Sequence, residues 1–169
     1  MTTETKDFVV SRVFDAPREL VWKAWTEADR LKEWFGPKGV TIPTLKMDLR
    51  PGGVCLYAMR MPNGQEMWGK WTFREIVAPE RLVLISSFSD AEGGITRHPM
   101  SPGWPLQTLS TTTFVEQAGK TTLTIKWSPY NATEAEIETF NGAHSGMNQG
   151  WSGTMEQLTA YLAKSQAKK

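Results

Sequence analysis

The side chains able to do chemistry are few and scattered. The chain has two histidines, His98 and His144, and a single cysteine, Cys55. The histidines are far apart, with no cysteine near either, so no zinc-ligand spacing exists. One thiol cannot close an internal disulfide. Cys55 lies in the apolar run Gly-Val-Cys-Leu-Tyr and is expected to be a buried small hydrophobe rather than a reactive group. Gly150-Trp151-Ser152-Gly153 misses a nucleophile elbow by one residue and falls within a helical pattern. No phosphate-cradling loop and no dinucleotide fingerprint is present. Asp48, Glu66, Glu75 and Glu116 fall near strand ends or opposite inward positions, where carboxylates are solvated. Asn131-Ala132-Thr133 has glycosylation spacing, but Thr133 is explained as a helix cap. No catalytic residue, metal site or cofactor is assigned.

Eight tryptophans and eight methionines run along the whole chain. Their chemistry is desolvation and ring contact. So many large side chains imply a wide or irregular interior, and methionine adapts to irregular shapes. The strands contribute Tyr57, Met59, Met61, Met67, Trp71, Phe73, Phe88 and Trp127 to an inward set. A C-terminal helix adds Met147, Trp151 and Met155. A packed core would use the same residue types, and a cavity for a small apolar ligand is the sharper reading. From Ser89 to Pro105 no period is visible, and a connection this long is often a lid or binding loop. It brings Trp104 and His98, the latter placed for a polar contact or for acid/base work at a cavity mouth. Tyr57, His98 and Asn148 are the candidates for orienting a ligand.

The elements that must hold these residues follow from periodicity. Phe8 to Phe14 reads as a strand. Asp15-Ala16-Pro17 opens a helix, with Asp15 or Ala16 as cap and Pro17 in the first turn. Val21, Trp25 and Ala28 recur at helical spacing, and Leu31, Trp34 and Phe35 continue the stripe into a second short helix ended by Gly36-Pro37-Lys38-Gly39. Strands follow over Ile42 to Leu49, Val54 to Met61, Met67 to Phe73, Leu82 to Phe88, Thr108 to Val115 and Thr121 to Trp127. In Cys55, Tyr57, Met59 and Met61 the odd positions point inward, because Arg60 marks the wet face. Leu123, Ile125 and Trp127 form the inward row of the last strand. Thr133 with Glu136 is a capping box for a short helix through Phe140. A long helix from about His144 to Ala163 carries Met147, Trp151, Met155, Leu158 and Leu162 on one stripe, with Gly142, Gly146, Gly150 and Gly153 on a flank. These glycines either loosen the helix or allow close approach of a neighbouring backbone or subunit.

Several short motifs recur here in a familiar order. They are Asp-Ala-Pro-Arg-Glu-Leu-Val-Trp-Lys-Ala-Trp (Asp15 to Trp25), Trp34-Phe35-Gly36-Pro37, Arg50-Pro51-Gly52-Gly53, Pro79-Glu80-Arg81-Leu82, Gly119-Lys120-Thr121 and Gly150-Trp151. Together they resemble the heat-shock-ATPase-activator-homologue branch of the START-like (SRPBCC) superfamily, over roughly Phe8 to Ala163. The resemblance implies an α+β helix-grip fold: a curved antiparallel sheet of six or seven strands wrapped around the long C-terminal helix. It leaves function open, since the superfamily includes lipid carriers, hormone and antibiotic binders, polyketide cyclases and oxygenase domains.

Composition sets the outer bounds. At 169 residues, a single domain is expected. A net charge of +1 leaves no broad cationic face for nucleic acid. The basic run from Lys164 to Lys169 reads as a solvated tail. Met1 to Asp7 is polar, no secretory apolar core follows it, and no stretch nears the ~20 apolar residues of a membrane span. A cytoplasmic, non-catalytic binding protein for a small apolar or aromatic molecule is the first expectation. An enzyme of cyclase or hydrolase type in the same cavity, or, as the resemblance implies, a protein-interaction module modulating a chaperone ATPase, is the alternative, and a protein partner or a homodimer is compatible with either.

Overall fold

The computed structural model describes residues 5–36, 39–98 and 101–167. Expectations resting on Pro37, Lys38, Pro99, Met100, Lys168 and Lys169 lie outside them. The chain opens with β1 (Phe8–Phe14), then α1 (Arg18–Thr26) and α2 (Ala28–Trp34). Pro17 itself stands at the α1 N-cap, one residue later than the sequence suggests, and no side chain caps the helix. Its carbonyl takes the amides of Leu20 and Val21, so the fixed backbone of proline begins the helix without help from Asp15.

The strands β2 (Thr41–Met47), β3 (Val54–Arg60), β4 (Glu66–Val77) and β5 (Arg81–Ser89) follow. Within the long connection after β5, Ile95–Thr96 forms a two-residue strand, β6, paired to Phe88 and Ser89; two residues are too few to show an alternation by which it could be read in advance. Then come β7 (Thr108–Gln117) and β8 (Lys120–Pro129), α3 (Glu134–Asn141) and α4 (His144–Ala167). The sheet is antiparallel, in the order β1-β8-β7-β5-β4-β3-β2, with β6 attached to β5. The first strand therefore pairs with the last. This is the expected helix-grip arrangement.

Local chemistry explains the joints. Ala118 and Gly119 both have positive φ, 54° and 77°, the geometry of a tight hairpin whose twist matches its strands. The edge strand β2 tolerates Pro43 because no neighbour needs an amide on that side, and the register slips between Thr41 and Thr44. The Thr133 side chain accepts from the Glu136 amide while Glu136 returns to the Thr133 amide, completing the expected capping box. On the concave side, Met155, Leu158 and Leu162 of α4 join Phe14, Phe73, Phe114, Leu123 and Ile125 in one core. Alternation holds along β3 with one exception: Ala58 is buried on the outer face, a small residue between Thr44 and Trp68 on the neighbouring strands. Among the described residues no helix is long and apolar enough to cross a membrane.

Candidate functional site

A pocket of about 550 Å³ lies between the sheet and the first half of α4, beyond the core. Its inner wall is aromatic. Trp25 of α1 lies nearly parallel to both Trp71 of β4 and Trp151 of α4, with centroids 6.2 and 6.1 Å away. Trp127 of β8 meets Trp151 edge-on at 5.6 Å. Phe35, just after α2, turns its ring against Tyr57 at 5.4 Å and Trp71 at 5.2 Å.

One glycine makes this wall possible. Gly69 pairs with Tyr57 across β3 and β4, and a Cβ there would lie 2.3 Å from the phenol ring. Without a side chain at 69, the Tyr57 ring can lie over the β4 backbone. Burial pushes the Tyr57 phenol well above its ordinary pKa, with Cys55 adding to the rise and a hydrogen bond from the Trp71 indole opposing it. Cys55 is buried in the core, its thiol pushed up to about 12 by burial, which leaves it inert.

Met59, Met61 and Met67 form one side of the pocket, and Met147 closes it from α4. The opposite side is hydroxylic. Ser86 of β5 faces Trp71 across one pairing and Thr108 of β7 across the other. Ser110 accepts the Trp127 indole proton at 3.0 Å.

The long connection forms the roof. His98 packs on Phe88 at 4.6 Å and reaches Trp104 at 6.5 Å. Desolvation holds the His98 imidazole below its ordinary pKa, so it is neutral in the pocket wall. The roof is tied down to α3: Arg97 donates to Glu136, and Trp104 packs on Phe140 at 5.6 Å. The Thr133 amide and then Arg97 hold the Glu136 carboxyl below the usual carboxylate range.

The sequence-predicted residues Tyr57, Met59, Met61, Met67, Trp71, Phe88, His98, Trp104, Trp127, Met147 and Trp151 line this pocket. Phe73 and Met155 do not: they sit farther along the same inward rows, where sheet and helix close on each other, and both are buried in the core. Asn148 is exposed and off the wall, because it follows Met147 on the helix and so faces away. Trp25, Phe35, Ser86, Thr108 and Ser110 were not predicted. For the two aromatics the available signal was the helical stripe, which reads equally well as core. For the hydroxyls it was strand parity alone.

Elsewhere the polar groups are structural. Asp48, Glu66 and Glu75 pair with Arg50, Arg60 and Arg81, while Glu116 accepts from the Arg18 amide. His144 bonds the Lys6 carbonyl at 2.8 Å and packs between Phe8 and Phe140, pinning the start of the chain. Among the described residues no group of His, Cys, Asp or Glu gathers to hold a metal ion.

The model of the family described as "Activator of Hsp90 ATPase homolog 1-like protein" matches residues 15–163. The chain belongs to this family. The activator-homologue fold recurs in a crystal structure of a Nitrosomonas europaea protein, 25% identical, covering 95% of this chain and 96% of that one with a TM-score of 0.76. A solution structure of an Arthrobacter aurescens protein is 26% identical, with 97% and 93% covered and a TM-score of 0.75. A Silicibacter pomeroyi protein titled as a member of the same family is 17% identical, with 95% and 99% covered and a TM-score of 0.69; it shares the fold. No curated protein matches the chain. Membership in the activator-homologue family thus supports a ligand-binding or interaction module and assigns no ligand.

Proposed function

We propose that this chain is a single-domain binding protein for a small apolar or aromatic molecule, held between the sheet and the first half of α4. The observation that carries the reading is the pocket itself: about 550 Å³ bounded by tryptophans and methionines, beside a packed core. A bicyclic ring burying about 250 Å², roughly a Trp side chain, gains on the order of 6 kcal/mol at ~25 cal/mol per Å². Association costs several kcal/mol of that, so ring burial alone gives weak binding and the wall must add contacts. Stacking between Trp25, Trp71 and Trp151 supplies flat surfaces for such contacts.

Native mass spectrometry of the protein from its own source, followed by a thermal-shift screen of aromatic and acyl compounds, tests the reading. We expect a retained small molecule, or a compound that raises Tm. Trp151→Ala should weaken that compound at least tenfold, about 1.4 kcal/mol, while the fold survives because Trp151 is only half-buried. No retained mass and no shift in Tm would turn the function toward a protein partner.

A further inference from the structure

Three thioethers line one side of the pocket, and sulfur can do more than bury apolar surface. Met59, Met61 and Met67 fall within residues 59–67, on the hairpin that joins β3 to β4. Met59 and Met67 are direct partners across the two strands. Opposed residues of an antiparallel pair hold their Cβ atoms about 5 Å apart on one face, and a diagonal neighbour about 7–8 Å away is still within reach of a long side chain. Met61, two positions beyond Met59, is that diagonal neighbour of Met67. All three are half-buried and open on the same pocket. Methionine has three rotatable bonds, so the sulfurs have the freedom to converge.

The backbone beneath them is fixed. The Met61 amide donates to the Gln65 carbonyl at 2.8 Å and the Gly64 amide to the Met61 carbonyl at 2.8 Å. The Gln65 amide closes the turn on the Asn63 side chain at 2.9 Å. Arg60 and Glu66 are partners in the same ladder, and Arg60 donates twice to one Glu66 oxygen, at 3.1 and 2.7 Å. Strand parity puts this ion pair on the outer face and the methionines on the inner one. A donor set carried on paired strands is held more precisely than one carried on a loop.

The rest of the wall decides which ion such a set suits. Among the described residues the wall contains no Asp, Glu, Lys or Arg, and no imidazole besides His98 in the roof. Hard cations take oxygen ligands and borderline ones take imidazole or thiolate, and this side of the pocket offers neither. Cys55 lies in the core with its thiol pushed up to about 12, so it supplies no thiolate. Thioether sulfur is neutral and polarisable, and it selects soft ions of the Cu(I) type. It has no proton to lose, so binding needs no deprotonation. With no anionic group in the wall, the charge of a divalent ion would go unbalanced, which favours a single positive charge.

We infer that Met59, Met61 and Met67 form a thioether site for a soft monovalent cation, Cu(I), on the methionine side of the pocket. The site does not rest on the apolar-ligand reading, because the metal alone tests it.

The full-length protein would be titrated with Cu(I) under excess reductant and without oxygen, in competition with a chromophoric Cu(I) chelator. One Cu(I) per chain should be retained. Leucine keeps the volume and apolar character of methionine. Met59→Leu and Met67→Leu should each weaken Cu(I) at least about tenfold, the scale on which even residues that only support a ligand act. Met47→Leu, which removes a thioether packed against the core, should change nothing. A second measurement needs no variant: silver(I), a redox-inert soft ion, is added to protein labelled with 13C at the methionine methyls. The methyl signals of Met59, Met61 and Met67 should move more than those of Met47 and Met155, and zinc(II) at the same concentration should move none of the three. Failure to retain Cu(I) overturns the site. Undiminished binding in the Met59→Leu, Met67→Leu double variant, or silver shifts largest at Met47 or Met155, overturns its location. Zinc(II) moving the same three methyls overturns the preference for a soft monovalent ion. None of these results touches the apolar-ligand reading, which the compound screen tests separately.

Discussion

His98 stands in the pocket roof where a proton could pass to an occupant, yet its surroundings resist the charge that transfer requires. Packing on Phe88 and burial lower its pKa from the ordinary 6.5. The folded protein therefore binds this proton less readily than the unfolded chain. As pH falls through 6.5, the unfolded chain takes up the proton first, and stability declines until the lower folded pKa is passed. Above 6.5 the effect is absent. Melting curves at pH 7.5 and pH 5.5 should show a larger loss for the wild type than for His98→Gln. Parallel losses would mean the imidazole is as free in the fold as in the unfolded chain. The same residue marks what sequence could and could not supply at this scale. Alternation along β3 and β4 identified Tyr57, Met59 and Trp71 as inward, because Arg60 and Lys70 fix the wet parity. It could not say how deep each inward residue lies, so Phe73, one step farther along the row, was assigned to the pocket and belongs to the core. Ser86, Thr108 and Ser110 escaped because a hydroxyl on a strand is compatible with either face, and only the register decides.

Among the elements, α4 is two helices in one. Its second half is anchored: Met155 and Leu158 are fully buried, and Gln157 donates to the Gly36 carbonyl at 2.6 Å. Its first half covers the pocket with Met147 and Trp151, both half-buried, and carries Gly146, Gly150 and Gly153. A Cβ on any of these three would meet nothing within 4 Å. Among the described residues no packing demands glycine there, so close approach of a backbone of the same chain falls away, while a second subunit stays open to test. What remains is the intrinsic cost, roughly 1 kcal/mol each against alanine in a helix interior. Gly150→Ala and Gly153→Ala should each stabilise the protein by up to about 1 kcal/mol, raising Tm by roughly 2–4 °C. Amide exchange should be faster over residues 146–153 than over 155–162 in the wild type, and the gap should narrow in the double variant. Unchanged Tm with equal exchange in both halves would remove any mechanical role for these glycines. The stripe of α4 and the capping box of α3 were plain in the sequence because each depends on spacing within one element. The contact of the 89–107 connection with α3, through Arg97 and Glu136, was not, since it joins residues whose proximity only the folded sheet creates.

At the scale of the whole molecule, the first and last strands are sewn together. β1 is paired with β8 along its full length, from Phe8 opposite Trp127 to Phe14 opposite Thr121. Phe8 and Phe14 are 3% and 1% exposed, and the Thr121 hydroxyl donates to the Ala16 carbonyl at 2.8 Å. Each of these contacts closes a loop of most of the chain, so their formation waits on the rest of the sheet. Removing β1 does more than shorten an edge. It strips β8 of its backbone partners on one side, leaving only β7, uncovers the inner face beside Leu123 and Ile125, and leaves Trp127, a pocket wall residue, without Phe8 at its edge. Deleting residues 1–5, which precede the Lys6 contacts to Asn141 and His144, should leave Tm within a degree or two of the full chain. Deleting through Phe14 should abolish the cooperative thermal transition measured by circular dichroism, and with it binding of any compound that raises the Tm of the full chain. A sharp transition in the longer deletion would mean that the β2–β8 sheet and α4 are self-sufficient. The pocket would then owe its integrity to the helix rather than to the pairing of the first strand with the last.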